Sequence, residues 1–138
     1  MKAKIKWLEE AQMDGESGSG HHINIDGPES IGGRNQGMRP MEMMLMSVGA
    51  CSTVDVISIL KKARQDVTYC VVELEGERAD AIPAVFEKIH LHFKVSGNNL
   101  DESKVKRAVE LSAEKYCSAS IMLKNAGVIL SHSFELLD

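Results

Sequence analysis

The chain has 138 residues, close to the most common length of a single domain, so we expect one domain over residues 1–138. Hydrophobic residues make up 43% and charged residues 26% of the chain, which excludes disordered, collagen-like and disulfide-scaffold proteins. Sixteen Lys and Arg against 20 Asp and Glu give a net charge of −4, and no basic block is present. Nucleic acid is therefore not expected as a partner.

The sequence indicates a soluble protein of a reducing compartment. The N-terminus alternates lysine with apolar residues and contains no apolar run of signal-peptide length. The most apolar stretch, residues 43–60, carries polar side chains such as Ser47, Asp55 and Ser58, so it predicts a buried helix rather than a membrane span. The chain has three cysteines, and an odd number in a sequence without an export signal indicates that the thiols are reduced. We expect a cytoplasmic protein with no membrane partner.

The first predicted elements are two strands that pair with each other. Residues 3–8 and 21–26 alternate between polar and apolar side chains, as strands with one buried face do. The Gly/Ser-rich residues 14–20 between them predict a flexible hairpin loop. Residues 27–38 are rich in glycine and polar side chains, which predicts a loop on the surface or lining a site.

A long central helix and a second strand pair follow. Pro40 suits the first turn of a helix, and the apolar pattern after it predicts a helix over residues 40–64. Residues 67–77 and 89–95 each alternate between apolar and polar side chains. The polar face of the first segment is acidic and that of the second is basic, which predicts an antiparallel hairpin through Ile82-Pro83. The remaining predicted elements are a helix that Asp101 caps and that ends near Cys117, a helix over 118–125, and a strand over 128–136. The order ββ-α-ββ-α-α-β indicates an α+β fold with an antiparallel sheet around one buried helix.

The three cysteines are the first candidates for chemistry. Cys51 follows small residues in the central helix, which leaves space beside its sulfur; the alternative is a small apolar residue of a buried helix. Cys117 lies between two predicted helices, where the free N–H groups that open the second would stabilise a thiolate; the alternative is a buried packing residue. Cys70 shares a strand face with apolar residues and is predicted to belong to the core.

A nucleophilic thiol must be deprotonated near neutral pH, and a nearby guanidinium favours that state. Arg39 and Arg34 are the candidates. Glu42 follows Arg39 at helical spacing, so it would orient the guanidinium; the alternative is an acidic side chain at a helix start. Because Glu42 precedes Cys51 by nine residues, a straight helix separates them by about 13.5 Å along its axis. Either the helix breaks early or these residues reach the cysteine of a second chain, which predicts a shared site in a dimer.

A family resemblance is carried by residues 39–53, with the sequence RPMEMMLMSVGACST, and by Cys117 far downstream after a helix. These residues resemble the OsmC/Ohr family of thiol-dependent organic hydroperoxide reductases, and within it the YhfA-like branch. The resemblance implies an OsmC-like fold, antiparallel sheets around a long buried central helix, in an intertwined homodimer with two interface sites. It also implies a peroxidatic Cys51, a resolving Cys117, an organic hydroperoxide substrate and an external dithiol reductant.

The start of the central helix departs from the family pattern. Hydroperoxide-reducing members usually carry Asn-Pro-Glu there, whereas this chain has Arg39-Pro40-Met41 and places the acid one position later. The predicted catalytic residues are Cys51, Cys117, Arg39 and Glu42, with Arg34 as the alternative to Arg39.

No cofactor or metal site is predicted. His90 and His92 share a strand face, but no further ligand completes a set, so a solvated face is the prediction. The glycines of residues 27–38 lack the strand and helix context of a dinucleotide site. Methionines near the helix start would line an apolar substrate pocket or pack in the core: Met38, Met41, Met43, Met44 and Met46.

Two functions stay open on the sequence. The first is a thiol peroxidase that reduces organic hydroperoxides through Cys51 and Cys117. The second is a non-catalytic OsmC-like protein that binds a small apolar or acyl ligand, or senses redox state. A thiolate at neutral pH that reacts far faster than a free thiol with an alkyl hydroperoxide would separate the first from the second.

Overall fold

The computed structural model describes all 138 residues, which group into two compact units, residues 1–44 and residues 45–138. The elements in chain order are β1 (Ala3–Glu9), β2 (Gln12–Ser17), β3 (His22–Ile25), α1 (Pro40–Lys62), β4 (Asp66–Arg78), β5 (Phe86–Asn98), α2 (Glu102–Leu111), α3 (Ser118–Asn125) and β6 (Ile129–Leu136). Two three-stranded sheets and a long helix confirm the predicted α+β class.

The first unit contains an antiparallel sheet in the order β1-β2-β3. The predicted loop over residues 14–20 is confined to residues 18–20, because residues 12–17 form β2. The prediction that the strands of residues 3–8 and 21–26 pair with each other is wrong, since β1 and β3 each pair with β2. Gly15 lies buried in β2, where an added Cβ would approach Ile23 Cγ2 to 3.0 Å and Ile25 Cδ1 to 3.1 Å. This glycine marks a close approach of isoleucine side chains to the strand rather than a loop.

A buried carboxylate organises the loop that follows β3. Asp26 is 1% exposed and accepts hydrogen bonds from the backbone N–H groups of Gly27, Arg34 and Gln36 at 2.8, 2.9 and 3.2 Å. The bonds from Arg34 and Gln36 contribute most to lowering the pKa of Asp26 below its usual value. The Gly-rich segment is therefore a loop, as predicted, and a single side chain defines its shape.

The second unit is built on the antiparallel pair β4 and β5, which the predicted connection through Ile82-Pro83 joins. Glu73 lies opposite His92 and Glu77 lies opposite Lys88 in the register. The Lys88 Nζ atom is 3.6 Å from the Glu77 carboxylate. The predicted pairing of an acidic face with a basic face is confirmed.

Strand β6 pairs with β5 in parallel, so the second sheet is mixed and not wholly antiparallel as predicted. Helices α2 and α3 lie between β5 and β6 in the chain, and a helical crossover brings the next strand back in the same direction. The core residues of β5 include Ile89, Leu91, Phe93 and Val95, each at most 4% exposed. The sheet is thus a hairpin completed by a crossover strand.

Helix α1 confirms the predicted central helix, but only one side of it is buried. The buried residues are Val48, Gly49, Ser52, Val56 and Leu60. Gly49 packs closely on β4, because an added Cβ would meet the Leu74 Cδ1 atom at 2.6 Å. By length and apolar composition α1 also meets the criteria for a membrane span, with 28% of its most apolar window buried inside the structure.

The other side of α1 carries an exposed apolar stripe, formed by Met46, Ala50 and Val54 at helical spacing. Met46 is 54% and Val54 69% exposed. The exposed stripe is therefore an apolar surface that no other element of the chain covers.

The C-terminal helices form as the sequence predicts. The Asp101 side chain accepts a hydrogen bond from the Ser103 backbone N–H at 2.9 Å, which confirms the predicted cap of α2. The helix continues as a π-helical turn over Ser112–Tyr116. Cys117 then separates this turn from α3, so its position between two helical segments is confirmed.

Candidate active site

Two cysteines from distant parts of the chain meet within the second unit. Cys51 projects from α1, and Cys117 lies between the π-helical turn and α3. Their Sγ atoms and one carboxylate oxygen of Asp55 all lie within 4.8 Å of one another. Both thiols are free, with Cys51 half-buried and Cys117 buried. We refer to Cys51, Asp55 and Cys117 as the thiol site.

One residue of α3, Ser120, directs two hydrogen-bond donors at the Cys117 sulfur. Cys117 is the N-cap of α3, and its Sγ accepts hydrogen bonds from the Ser120 N–H at 3.4 Å and the Ser120 hydroxyl at 3.1 Å. Burial is the largest influence and raises the pKa of Cys117, while the two Ser120 bonds lower it and the neighbouring Cys51 sulfur raises it. The predicted donors are present, but the predicted stabilisation of the thiolate is outweighed by desolvation.

A buried pair of hydroxyls joins the two segments that carry the cysteines. The Oγ atoms of Ser52 and Ser112 are 2.8 Å apart, and Ser112 Oγ also donates to the Ser52 carbonyl at 3.2 Å. Both serines are at most 1% exposed. Ser52 follows Cys51 directly, and Ser112 begins the turn that ends before Cys117. This pair therefore fixes the positions of the two cysteine-bearing segments relative to each other.

Asp55 is the member of the thiol site that sequence reasoning missed. It follows Cys51 by four residues, so helix geometry places both side chains on one face of α1. Its Oδ2 atom is buried and has no hydrogen-bond partner. The i, i+4 spacing from a candidate cysteine was the available signal, but an acidic residue on a helix is so common that spacing alone did not single it out.

The structure gives Arg39 and Glu42 a local role at the start of α1. Glu42 Oε2 accepts a hydrogen bond from the Arg39 backbone N–H at 2.8 Å. In the single chain Glu42, in the first turn after Pro40, reaches back to this N-cap N–H and forms no ion pair with the Arg39 side chain. The guanidinium of Arg34, the alternative, lies 3.1 Å from the Glu9 carboxylate.

Helix α1 also settles one of the two geometric alternatives. It runs without interruption over Pro40–Lys62, so the helix does not break early. A catalytic contribution of Arg39 or Glu42 to Cys51 therefore stays a prediction that requires a second chain.

Two cavities are lined largely by residues of α1. The larger, about 730 Å³, is an open apolar groove between α1 and β4 whose lining includes Met46, Gly49, Val54, Val72 and Leu74. Met46 is the one methionine of the predicted pocket that lines it. The smaller, about 330 Å³, is lined by Asp55, Ser58, Ile59, Lys62, Leu111 and Tyr116, so Asp55 is the member of the thiol site that it contacts.

The other candidates stay outside the thiol site. Cys70 is half-buried in β4, and burial raises the pKa of its thiol. His90 and His92 both contact Ser133 Oγ on the face of the second sheet, at 2.8 and 2.7 Å. Neither histidine contributes to the thiol site.

The chain belongs to the OsmC-like protein family, whose model matches residues 33–131. It is 48% identical to Protein YhfA of Escherichia coli strain K12 over 137 residues, which cover 99% of this chain and 98% of that protein. Both findings confirm the resemblance carried by residues 39–53 and Cys117.

Solved structures share the fold over nearly the whole chain. A hypothetical protein from Aquifex aeolicus VF5 has 30% identity and a TM-score of 0.82, covering 99% of this chain and 97% of that one. A Legionella pneumophila protein, described as an organic hydroperoxide resistance protein OsmC and predicted redox protein, has 17% identity and a TM-score of 0.69. That match covers 96% of this chain and 95% of the other, and at this identity it shows the fold.

Proposed function

We propose that this protein is a thiol-dependent peroxidase that reduces organic hydroperoxides through Cys51 and Cys117. The observation that carries the proposal is the approach of the two free sulfur atoms to within 4.8 Å of each other. To form a disulfide, the two sulfurs would have to close from that separation to about 2.05 Å. The description of OsmC-fold relatives as hydroperoxide resistance and redox proteins supports it.

The two cysteines divide the chemistry. The Cys51 thiolate attacks one peroxide oxygen, the O–O bond breaks, and the alkoxide leaves as alcohol after taking up a proton. Cys51 is then a sulfenic acid, which the Cys117 sulfur attacks, releasing water and forming a disulfide. An external dithiol reduces the disulfide by thiol exchange and is itself oxidised. Cys51 takes the first role because it is half-buried while Cys117 is buried.

The proposal includes a homodimer of cytoplasmic protein. The exposed stripe of α1 and the apolar groove of about 730 Å³ beside it support a second copy as the occupant of this face. In such a dimer the Arg39 guanidinium and the Glu42 carboxylate of one protomer would serve the Cys51 thiolate of its partner. Bulky substrates would enter along apolar surface between the two chains.

The test is to mix reduced protein with one equivalent of cumene hydroperoxide, quench within seconds and map the cysteines by mass spectrometry. We expect a Cys51–Cys117 disulfide in the wild type and in Cys70→Ser, the matched control that removes the third thiol. Cys51→Ser should leave Cys117 reduced, and Cys117→Ser should leave a sulfenic acid at Cys51 that dimedone traps. If both thiols survive, or oxidise no faster than free cysteine, the peroxidase proposal fails and the apolar groove becomes a ligand site.

A further inference from the structure

Asp55 is the residue of the thiol site that the peroxide chemistry does not use. Asp55 is half-buried, and its buried Oδ2 atom has no hydrogen-bond partner. A buried carboxylate oxygen without a partner is destabilising, because it has given up water without a replacement. Two sulfur atoms, which become anionic on deprotonation, lie within 4.8 Å of it. A cation would compensate all three groups.

The spacing of the three atoms fits a metal centre. Asp55 lies one helical turn after Cys51, and Cys117 approaches from the other side. A tetrahedral zinc ion holds two sulfur ligands about 2.3 Å from itself and so about 3.8 Å from each other. The observed separations, all within 4.8 Å, reach that geometry by small side-chain rotations. We propose that the reduced Cys51 and Cys117 thiolates and the Asp55 carboxylate bind one zinc ion.

The donor set selects the metal. Two thiolates and one carboxylate oxygen favour zinc, whereas magnesium and calcium require sets made of oxygen. The two hydrogen bonds from Ser120 to the Cys117 sulfur supply the outer contacts that orient a thiolate ligand. Binding releases the two thiol protons, so zinc and protons compete for the sulfurs.

The cavity beside Asp55 supplies the fourth position and an entry path. It has a volume of about 330 Å³, enough for a water molecule as the remaining ligand. Lys62 is the one cationic side chain in its lining. Three anionic ligands around a divalent ion leave one excess negative charge, and Lys62 offsets it.

Zinc binding would regulate the proposed peroxidase, and this consequence rests on the proposed function. The same two sulfurs cannot bind zinc and form a disulfide. The balanced step is one zinc dithiolate, one organic hydroperoxide and two protons giving one disulfide, free zinc, one alcohol and one water. The hydroperoxide is the oxidant and the two sulfurs are oxidised. Zinc therefore protects the thiols, and sufficient hydroperoxide releases it.

The test is equilibrium dialysis of the reduced protein against zinc chloride, followed by measurement of the metal content. We expect one zinc per chain in the wild type and in the control Cys70→Ser, and none in Cys51→Ser or Cys117→Ser. Asp55→Asn should weaken binding about tenfold or more. Cobalt(II) in place of zinc should show thiolate charge-transfer bands and the visible bands of a tetrahedral site. Circular dichroism verifies that each variant is folded.

The outcomes separate this inference from the proposed function. Two results would overturn the inference. The first is that folded wild type binds no zinc, and the second is that Cys51→Ser and Cys117→Ser bind zinc as the wild type does. Wild type oxidised beforehand with diamide to the disulfide should bind none. A protein that binds zinc through these residues but does not react with cumene hydroperoxide supports the site and removes only the peroxidase. If both activities hold, bound zinc should slow thiol loss to hydroperoxide at least about tenfold relative to chelator-treated protein.

Discussion

Two carboxylates with buried oxygens have opposite surroundings in this protein. Asp26 accepts three backbone N–H hydrogen bonds, whereas Asp55 Oδ2 accepts none. The first therefore works as a structural group that shapes a loop, because its charge is satisfied locally. The buried Oδ2 atom of Asp55 has no partner within the chain, which is why the site is proposed to bind a cation there. The hydrogen-bond partners of the two carboxylates distinguish their roles.

Asp26 predicts an acid-dependent contribution to stability. Since hydrogen bonds lower its pKa in the folded protein below the ordinary 3.8, the contribution is present above that value and is lost as the pH falls below it. Asp26→Asn should therefore be less stable than the wild type by an amount that is constant above about pH 5 and shrinks at lower pH. Urea unfolding over a pH series measures it. Asp80→Asn, in an exposed loop, is the control, and a difference independent of pH would contradict the prediction.

At the scale of elements, α1 combines three surfaces on one helix. Its buried side packs on β4 through Gly49, its thiol face presents Cys51 and Asp55, and its exposed stripe faces outward. With 3.6 residues per turn, the side chains of this 23-residue helix point in different directions, so the three surfaces occupy separate faces. Its first turn adds a fourth feature, the hydrogen bond from the Arg39 N–H to Glu42.

The first turn of α1 gives a prediction that separates stability from catalysis. Glu42→Ala removes the acceptor for the Arg39 N–H and should lower the free energy of unfolding by about 1 kcal/mol. Glu42→Gln keeps an acceptor of the same length and should retain most of that stability. Under the proposed function both variants lose the carboxylate charge and should react more slowly with cumene hydroperoxide. Urea unfolding and thiol-loss kinetics measure the two effects.

Equal destabilisation by Glu42→Gln and Glu42→Ala would show that the carboxylate charge, not the hydrogen bond, stabilises the helix start. Wild-type reaction rates in both variants would remove Glu42 from the proposed catalytic residues without affecting Cys51 or Cys117.

At the scale of the whole molecule, apolar surface is exposed in both compact units. Ile5 and Trp7 of β1 are 58% and 68% exposed, and Val54 of the exposed stripe is 69% exposed. Exposed apolar side chains in each unit support the proposed homodimer. A second copy would cover them without requiring a different partner, because a two-fold interface buries the same patch on both chains.

The dimer predicts a mass that one substitution should halve. Light scattering should give the wild type a mass of ~30 kDa, twice the 15.1 kDa of one chain. Val54→Lys places a charge in the exposed stripe and should produce a folded monomer, because burying an unpaired charge at an interface is strongly unfavourable. Ile82→Lys, at a fully exposed loop position outside the stripe, is the matched control and should remain dimeric. A monomeric wild type would refute the dimer.

The local elements could be predicted because short-range patterns decide them. The cap at Asp101, the alternation in β4 and β5 and the apolar run after Pro40 each depend on neighbouring residues, and each is confirmed. The strand over residues 12–17 was missed because glycine and polar residues mimic a loop. Packing of Ile23 and Ile25 over Gly15 is a contact between strands, which composition within one segment does not reveal.

The sequence by itself determined the family, the helix that carries Cys51 and the placement of Cys117 between two helical segments, because motif and periodicity are local properties. Only the tertiary structure decided that the two sulfurs approach each other, that β6 runs parallel to β5, and that Asp55 joins the thiol site. Only it showed that desolvation outweighs the Ser120 hydrogen bonds at Cys117. These facts depend on contacts between residues as many as 66 positions apart in the chain, and burial and proximity arise only when the chain has packed.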